Sequence, residues 1–279
     1  MFFRKKKQIN TQDKQEPKQE EFNFYGIADI LHLIKREIGV DLFGKKSILE
    51  TRFSLFCKER GFYSFKSFFD ALQIDKKLKQ EFINLVTVNE TYFLREIAQL
   101  QEAINFAQSK THQCVKILCA PCASGEEVYS LAMLIESQNM GYNYEIIGID
   151  INSEVIEKAK KGIYSPRSLH RVDEQSKSRF FRFYGDKYEI NHSLFLYVSF
   201  KQLNIFDPAF LDLGKFDIIF SRNMLIYFDD LFRVAAMKRF YEILKPDGRV
   251  YLGHADIVPE NEFFIKYGYG TNCYYTKHL

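Results

Sequence analysis

Residues 115–130 read VKILCAPCASGEEVYS. The run opens as a short apolar strand over 115–120, turns through small residues to Gly125, and enters a helical pattern over 126–137. Strand, small-residue turn and helix make the first half of a βα unit, and the pattern recurs. Residues 145–149 (EIIGI) form a second strand ending at Asp150, with a helix over 153–161. Residues 216–220 (FDIIF) form another, with a helix over about 229–244, and Lys245-Pro-Asp-Gly248 turns the chain into a strand at 249–252. Strands alternating with helices predict an α/β, doubly wound, Rossmann-like fold on a parallel sheet.

The flanks read differently. Residues 262–267 and 271–276 predict an antiparallel hairpin turning at Tyr267-Gly-Tyr-Gly270. Between 163 and 202 the βα rhythm breaks, and 188–190 and 194–199 around Asn191-His192-Ser193 predict an inserted β-hairpin subdomain. Upstream, Phe24, Ile27, Ile30, Leu31 and Ile34 recur at helical spacing. A second helix is expected over 47–60, with Ser47 as N-cap, Glu50 three residues on and Gly61 as its stop. Shorter helices over 64–72 and 76–86 complete a small helical domain at 22–88. Residues 1–21 are polar and charged, a disordered tail that buries too little apolar surface to fold. The α/β domain occupies 89–279.

Bulk properties narrow the function classes. Lys and Arg number 39 against 36 Asp and Glu, so the net charge of +3 lacks the basic excess of a nucleic-acid binder. Cys119 and Cys122 form a C-x-x-C without two further ligands at similar spacing, so they read as small buried residues and no metal is expected. The basic residues at 4–7 have no apolar h-region behind them, and no apolar run approaches the roughly 18 residues of a membrane span. A cytoplasmic protein is expected, and nothing requires more than a monomer.

The strand ends carry the chemistry. In open α/β sheets ligands sit beyond the carboxyl ends of the strands, where strand order reverses. There the sequence places the small-residue turn before Gly125, Asp150 after the second strand, Asn204 and Asp207 after the third, and Arg222 and Asn223 after the fourth. A carboxylate at Asp150 can accept both hydroxyl hydrogens of a ribose. The dinucleotide fingerprint G-x-G-x-x-G is missing, and the helix opens with Glu126 and Glu127. Two acids suit a helix N-terminus but repel a pyrophosphate, so the expected ligand is a cationic nucleoside without phosphate. S-adenosylmethionine fits that description.

Five segments, in order, resemble the CheR family of chemotaxis receptor methyltransferases. They are NETYFLR at 89–95, ASGEEVYS at 123–130, IDIN at 149–152 with Ala159 and GIY at 162–164, FSRNMLIYF at 220–228, and LKPDG at 244–248 with Gly253-His254. The resemblance runs from about residue 24 to the end. It implies that Asn89, Thr91 and Arg95 contact S-adenosylmethionine from the segment before the sheet. It implies that Glu127, more than Glu126, binds its methionine end, that Asp150 holds the ribose, and that Asn204 and Ile205 flank the adenine. Arg222 and Asn223 line the site, and Arg95 and Tyr227 lie at the reacting centre. Departures from the family pattern are Leu94, Val128, Ser221 and Ala255-Asp256, where Ser-Glu is usual; the last puts the role of that loop in doubt.

The implied reaction is methyl transfer to glutamate side chains of chemotaxis receptors, giving glutamate methyl esters and S-adenosylhomocysteine. The implied partner is the cytoplasmic helical region of those receptors, met by a basic face of the helical domain that holds Arg52, Lys58 and Arg60, with Lys45 and Lys46 before it. In this family the inserted hairpin can also dock a receptor tail peptide. Two other readings predict different outcomes. A methyltransferase for another acceptor would lack the helical domain with its basic face, and a non-catalytic cofactor- or receptor-binding module would have lost a site residue.

Overall fold

The computed structural model describes residues 21–110, 114–138, 144–268 and 273–278. All but the last residue of the expected tail, and residues 269–272 of the expected terminal hairpin, lie outside the described residues. The helical domain opens with α1 (Ile27–Ile38), whose Ile30, Leu31 and Ile34 face inward; Phe24 precedes the helix and is exposed. A 3-10 turn at Phe43–Lys45 runs directly into α2 (Lys46–Lys58). Ser47 is therefore inside the helix rather than its cap, and Lys45 at the N-cap position makes no side-chain bond. α3 (Phe65–Ile74) and α4 (Lys76–Val86) are capped as their sequences suggest, the Ser64 hydroxyl accepting from the Ser67 N–H and the Asp75 carboxylate from that of Leu78. Phenylalanine fills the space between these helices. Phe53, Phe68 and Phe82 are buried, with Phe82 edge-on to Phe53 at 4.8 Å and to Phe68 at 5.0 Å.

α5 (Ile97–Ser109) follows, a helix not anticipated from the sequence, burying Leu100, Ala103, Ile104 and Ala107. The α/β domain then runs β1 (Val115–Cys119), α6 (Glu126–Ser137), β2 (Tyr144–Asp150), α7 (Ser153–Lys161), β3 (Ile163–Tyr164), α8 (Glu174–Phe180), β4 (Phe181–Tyr184), β5 (Lys187–Ile190), β6 (Val198–Gln202), β7 (Phe216–Ser221), α9 (Asp230–Ile243), β8 (Leu244–Leu252), β9 (Phe264–Tyr267) and β10 (Tyr274–Lys277). The main sheet has the order β6-β2-β1-β7-β8-β10-β9. Its first five strands are parallel to their neighbours, and the β9–β10 hairpin closes one edge antiparallel. The chain winds outward from β1 in both directions, so the strand order reverses there.

Two segments differ from expectation. Residues 245–248 do not end a connection. They bulge from β8, which pairs with β7 on both sides of them, Phe216 with Leu244 and Ile218 with Arg249. The inserted subdomain is a three-stranded sheet, β3-β5-β4, whose hairpin turns at Gly185 rather than at 191–193. Residues 198–202 leave the insertion and form the parallel edge of the main sheet beside β2. Phe200 draws them there by packing against Tyr129, in space kept open by Gly125 and Gly148, where an added Cβ would lie 3.0 Å or less from its ring.

The two domains are joined by hydrogen bonds at the end of β2. Asn152 caps α7 by accepting from the N–H groups of Glu154 and Val155, while its amide donates to the Asn84 carbonyl and the Thr87 hydroxyl. Gln80 on α4 donates to the Ile151 carbonyl at 2.9 Å. On the other side Val40 bridges to Phe228, and the Asp41 N–H donates to the Tyr227 carbonyl at 2.9 Å.

Candidate active site

A cleft of about 350 Å³ opens beyond the carboxyl ends of β1, β2, β6 and β7, at the point where strand order reverses. The helical domain forms part of its wall through Ile38, Val40, Leu42 and Lys45. Of the residues singled out from the sequence, Asn89, Thr91, Arg95, Glu127, Asp150, Asn204, Ile205, Arg222, Asn223 and Tyr227 all line it. One fold feature explains the convergence: each sits just past a strand end or in the segment leading into the sheet.

Asp150 ends β2 and is buried. Its Oδ2 accepts from the Ala123 N–H and its Oδ1 from the Asn152 N–H, both at 2.9 Å. Burial nevertheless pushes its carboxyl up to about 6, against those bonds. A carboxylate offers about four acceptor directions, and these two donors leave room for ribose hydroxyls. Pro121, Cys122 and Ala123 of the turn line the cleft, and Gly125, at φ 91, starts α6.

The two glutamates that open α6 part company. Glu126 is buried but does not line the cleft; it turns back, and its carboxylate accepts from the Ser124 hydroxyl at 2.8 Å. Its expected place in the cofactor site is corrected accordingly: as the first residue of the helix, it serves the turn. Glu127 faces the cleft and meets Arg222, Oε2 to Nε at 2.6 Å. That contact is ionic rather than an aligned hydrogen bond, because Arg222 Nε and Nη1 have no partner of hydrogen-bond geometry. Arg222 reaches the Arg95 carbonyl through Nη2 at 2.7 Å, and Glu96 lies 3.9 Å from its Nη1. Glu96 also lies 3.9 Å from Arg95 Nε, so two acids and two guanidiniums meet at this end of the cleft. Burial raises the Glu127 pKa, with Arg222 opposing it, and Glu127 Oε1 is buried without a hydrogen-bond partner.

These groups fit S-adenosylmethionine. The unpaired Glu127 oxygen suits an ammonium, Asp150 suits a ribose, and the apolar Ile149, Ile205 and Phe228 side chains suit an adenine face. Asn204 lines the cleft with its amide already engaged, Nδ2 donating to the Glu37 carbonyl and Oδ1 accepting from the Phe206 N–H. At the mouth, Arg95 lies close enough to Tyr227 to oppose the rise that burial gives the phenol, and its Nη1 is steadied by the Glu90 carbonyl at 3.0 Å. No histidine lines the cleft among the described residues.

The basic face of α2 does not reach the cleft. Arg52 donates to the Leu85 carbonyl at 2.6 Å, and Arg60 pairs with Glu81 at 2.9 Å while lying over the Phe56 ring. Both arginines tie α2 to α4 and both remain exposed. Lys58 is exposed, near the Phe22 ring. Sequence reasoning missed Glu96, the second acid beside Arg222, and the cleft wall contributed by the α1–α2 connection.

Comparison with known proteins agrees with this geometry. Residues 26–87 match the family model described as CheR methyltransferase, all-alpha domain, and residues 89–271 match CheR methyltransferase, SAM binding domain. The chain is 46% identical over 252 residues to a chemotaxis protein methyltransferase of Campylobacter jejuni, covering 90% of this chain and 95% of that one. It is 35% identical over 231 residues to chemotaxis protein methyltransferase 2 of Vibrio cholerae, covering 78% and 79%. A chemotaxis protein methyltransferase of Escherichia coli is 33% identical over 184 residues, covering 63% and 64%. The cofactor is therefore S-adenosylmethionine. No helix among the described residues is long and apolar enough to cross a membrane.

Proposed function

The chain belongs to the CheR methyltransferase family, and from that premise we propose that it methylates glutamate side chains of chemotaxis receptors, yielding glutamate methyl esters and S-adenosylhomocysteine. The observation that carries the cofactor half of this reading is the buried, unpaired Glu127 oxygen beside Asp150 in one cleft. In this reading Glu127 holds the methionine ammonium, Asp150 the ribose, and Ile205 with the Asn204 backbone the adenine. Asn89, Thr91, Arg222 and Asn223 complete the wall.

S-adenosylmethionine supplies an electrophilic methyl group. A glutamate side chain has an ordinary pKa near 4.3 and is already an ionised nucleophile at neutral pH, so no residue need remove a proton. A cleft without a histidine suits such an acceptor. What the chain must supply is orientation, which can lower a barrier by about 7–11 kcal/mol. In this reading Arg95 holds the incoming carboxylate by charge, and the Tyr227 hydroxyl fixes its second oxygen. Proximity of the two at the mouth supports this assignment.

The proposed partner is the cytoplasmic helical region of transmembrane receptors, approached by a monomeric cytoplasmic enzyme through its helical domain at 22–88. Lys45, which lines the cleft, joins the exposed Arg52, Lys58 and Arg60 of α2 as the basic groups proposed to meet the receptor. Where a receptor carries a tail peptide, the outer edge of β4 in the inserted sheet is its proposed berth. The test is peptide mapping of a receptor fragment after incubation with enzyme and S-adenosylmethionine. Methyl groups on glutamates, removed by mild base, support the reading. Base-stable methylation on another residue type would replace the acceptor.

A further inference from the structure

Asp256 was the one departure from the family pattern that left a loop without an assigned role, and its surroundings give it one. Its Oδ2 accepts from the N–H groups of Asn223 at 2.6 Å and Gly253 at 2.9 Å, and its Oδ1 from that of Ile226 at 3.2 Å. One carboxylate thus gathers backbone donors from two segments, the end of β8 and the loop after β7. That loop forms the cleft wall through Asn223, Met224, Ile226 and Tyr227.

The loop is held at several points. Asn223 has φ 59, a left-handed conformation that asparagine adopts more readily than most residues other than glycine. Gly253 packs against it so closely that a Cβ there would lie 2.8 Å from the Asn223 nitrogen. At its far end the loop is tied to the helical domain by the Asp41 N–H on the Tyr227 carbonyl. Between those ends Asp256 supplies the acceptors, and a bond from N–H to a charged group is stronger than a neutral one.

We propose that Asp256 is a positioning residue: it clamps the 223–227 loop and thereby sets where Tyr227 and Asn223 stand in the cleft. This rests on the reading of the cleft as a methyltransferase site. Asp256→Asn keeps the size but loses one acceptor oxygen and presents an amide donor to the loop's N–H groups. Asp256→Glu keeps both oxygens.

The experiment combines hydrogen exchange, calorimetry with S-adenosylhomocysteine, and receptor methylation kinetics, all well below each variant's Tm. For Asp256→Asn the expected result is faster deuterium uptake confined to 223–227 and 253, a Kd for S-adenosylhomocysteine raised severalfold, and a kcat lowered about tenfold to a hundredfold. KM for receptor stays unchanged, and Asp256→Glu restores most of the loss. Unchanged uptake over 223–227, or raised uptake with unchanged kcat, overturns the proposal. If Asp256→Asn does not fold, Asp256→Ser is judged by the same measures; failure of both to fold assigns the carboxylate to stability and overturns the positioning role. If the wild-type enzyme methylates no receptor carboxylate, the acceptor reading fails by itself, and exchange with S-adenosylhomocysteine affinity still decides the clamp.

Discussion

At the scale of single residues, the proposed cofactor site rests on two acids in different surroundings. Asp150 carries a pKa of about 6 because burial outweighs the backbone bonds to Ala123 and Asn152. A ligand whose hydroxyls donate to it favours its ionised form. Affinity for S-adenosylhomocysteine should therefore fall as pH drops through about 6, by up to about tenfold per pH unit. Asp150→Asn should bind weakly with that pH dependence removed; calorimetry from pH 5 to 8 checks both. Stability has the opposite sign. A carboxyl whose folded value lies above its unfolded one costs stability as pH rises from the unfolded value to the folded one, about 1.4 kcal/mol per pH unit between the two. The unliganded protein should thus gain less from neutral pH than the liganded one. Glu127→Gln should weaken S-adenosylhomocysteine about tenfold to a hundredfold, the worth of a charge-assisted bond. It should also lower Tm, because Arg222 is buried and keeps only Glu96, 3.9 Å away, as an acid partner. Asp150 and Glu127 were legible in the sequence because each follows a strand or opens a helix whose pattern is local. Glu96 and Asp256 were not, since their partners at 222–226 and 253 arrive only when β7 and β8 lie side by side.

At the scale of elements, Asn152 has the widest reach. It caps α7 and ties that helix to the end of α4 and to Thr87. Asn152→Ala should cost about 2–3 kcal/mol, the sum of a cap and interdomain bonds, read from the urea midpoint at constant m-value. Because Asp150 is two residues away, cofactor affinity should fall with it. The helices α4, α6 and α7 begin and end where their sequences predict, since Asp75, Gly125 and Asn152 mark their starts. α5 was overlooked because alanine supplies two of its four spaced buried positions, Ala103 and Ala107, and carries a weak apolar signal. The inserted hairpin was placed one strand too late. Val198–Gln202 alternates like a hairpin strand, yet its partner β2 lies about fifty residues upstream, and no local pattern announces so distant a pairing.

At the scale of the whole molecule, the cleft belongs to two domains. The α/β domain supplies Asp150 and Glu127, and the α1–α2 connection supplies Val40, Leu42 and Lys45, held against the Tyr227 loop through Asp41. That arrangement suits a long partner lying across both domains with one side chain reaching inward. The α/β sheet and most residues that line the cleft were readable in the sequence, while the shared wall required three dimensions, because α1 and the 223–227 loop are far apart in the chain. The central claim is transfer of methyl groups to receptor carboxylates at this site. It is tested most directly by incubating receptor-containing membranes with radiolabelled S-adenosylmethionine and either wild type or Asp150→Ala. The account predicts base-labile label on the receptor bands with wild type and its loss with the variant. Label that persists undiminished with Asp150→Ala, or no receptor label from a wild-type protein that binds S-adenosylmethionine, would contradict it.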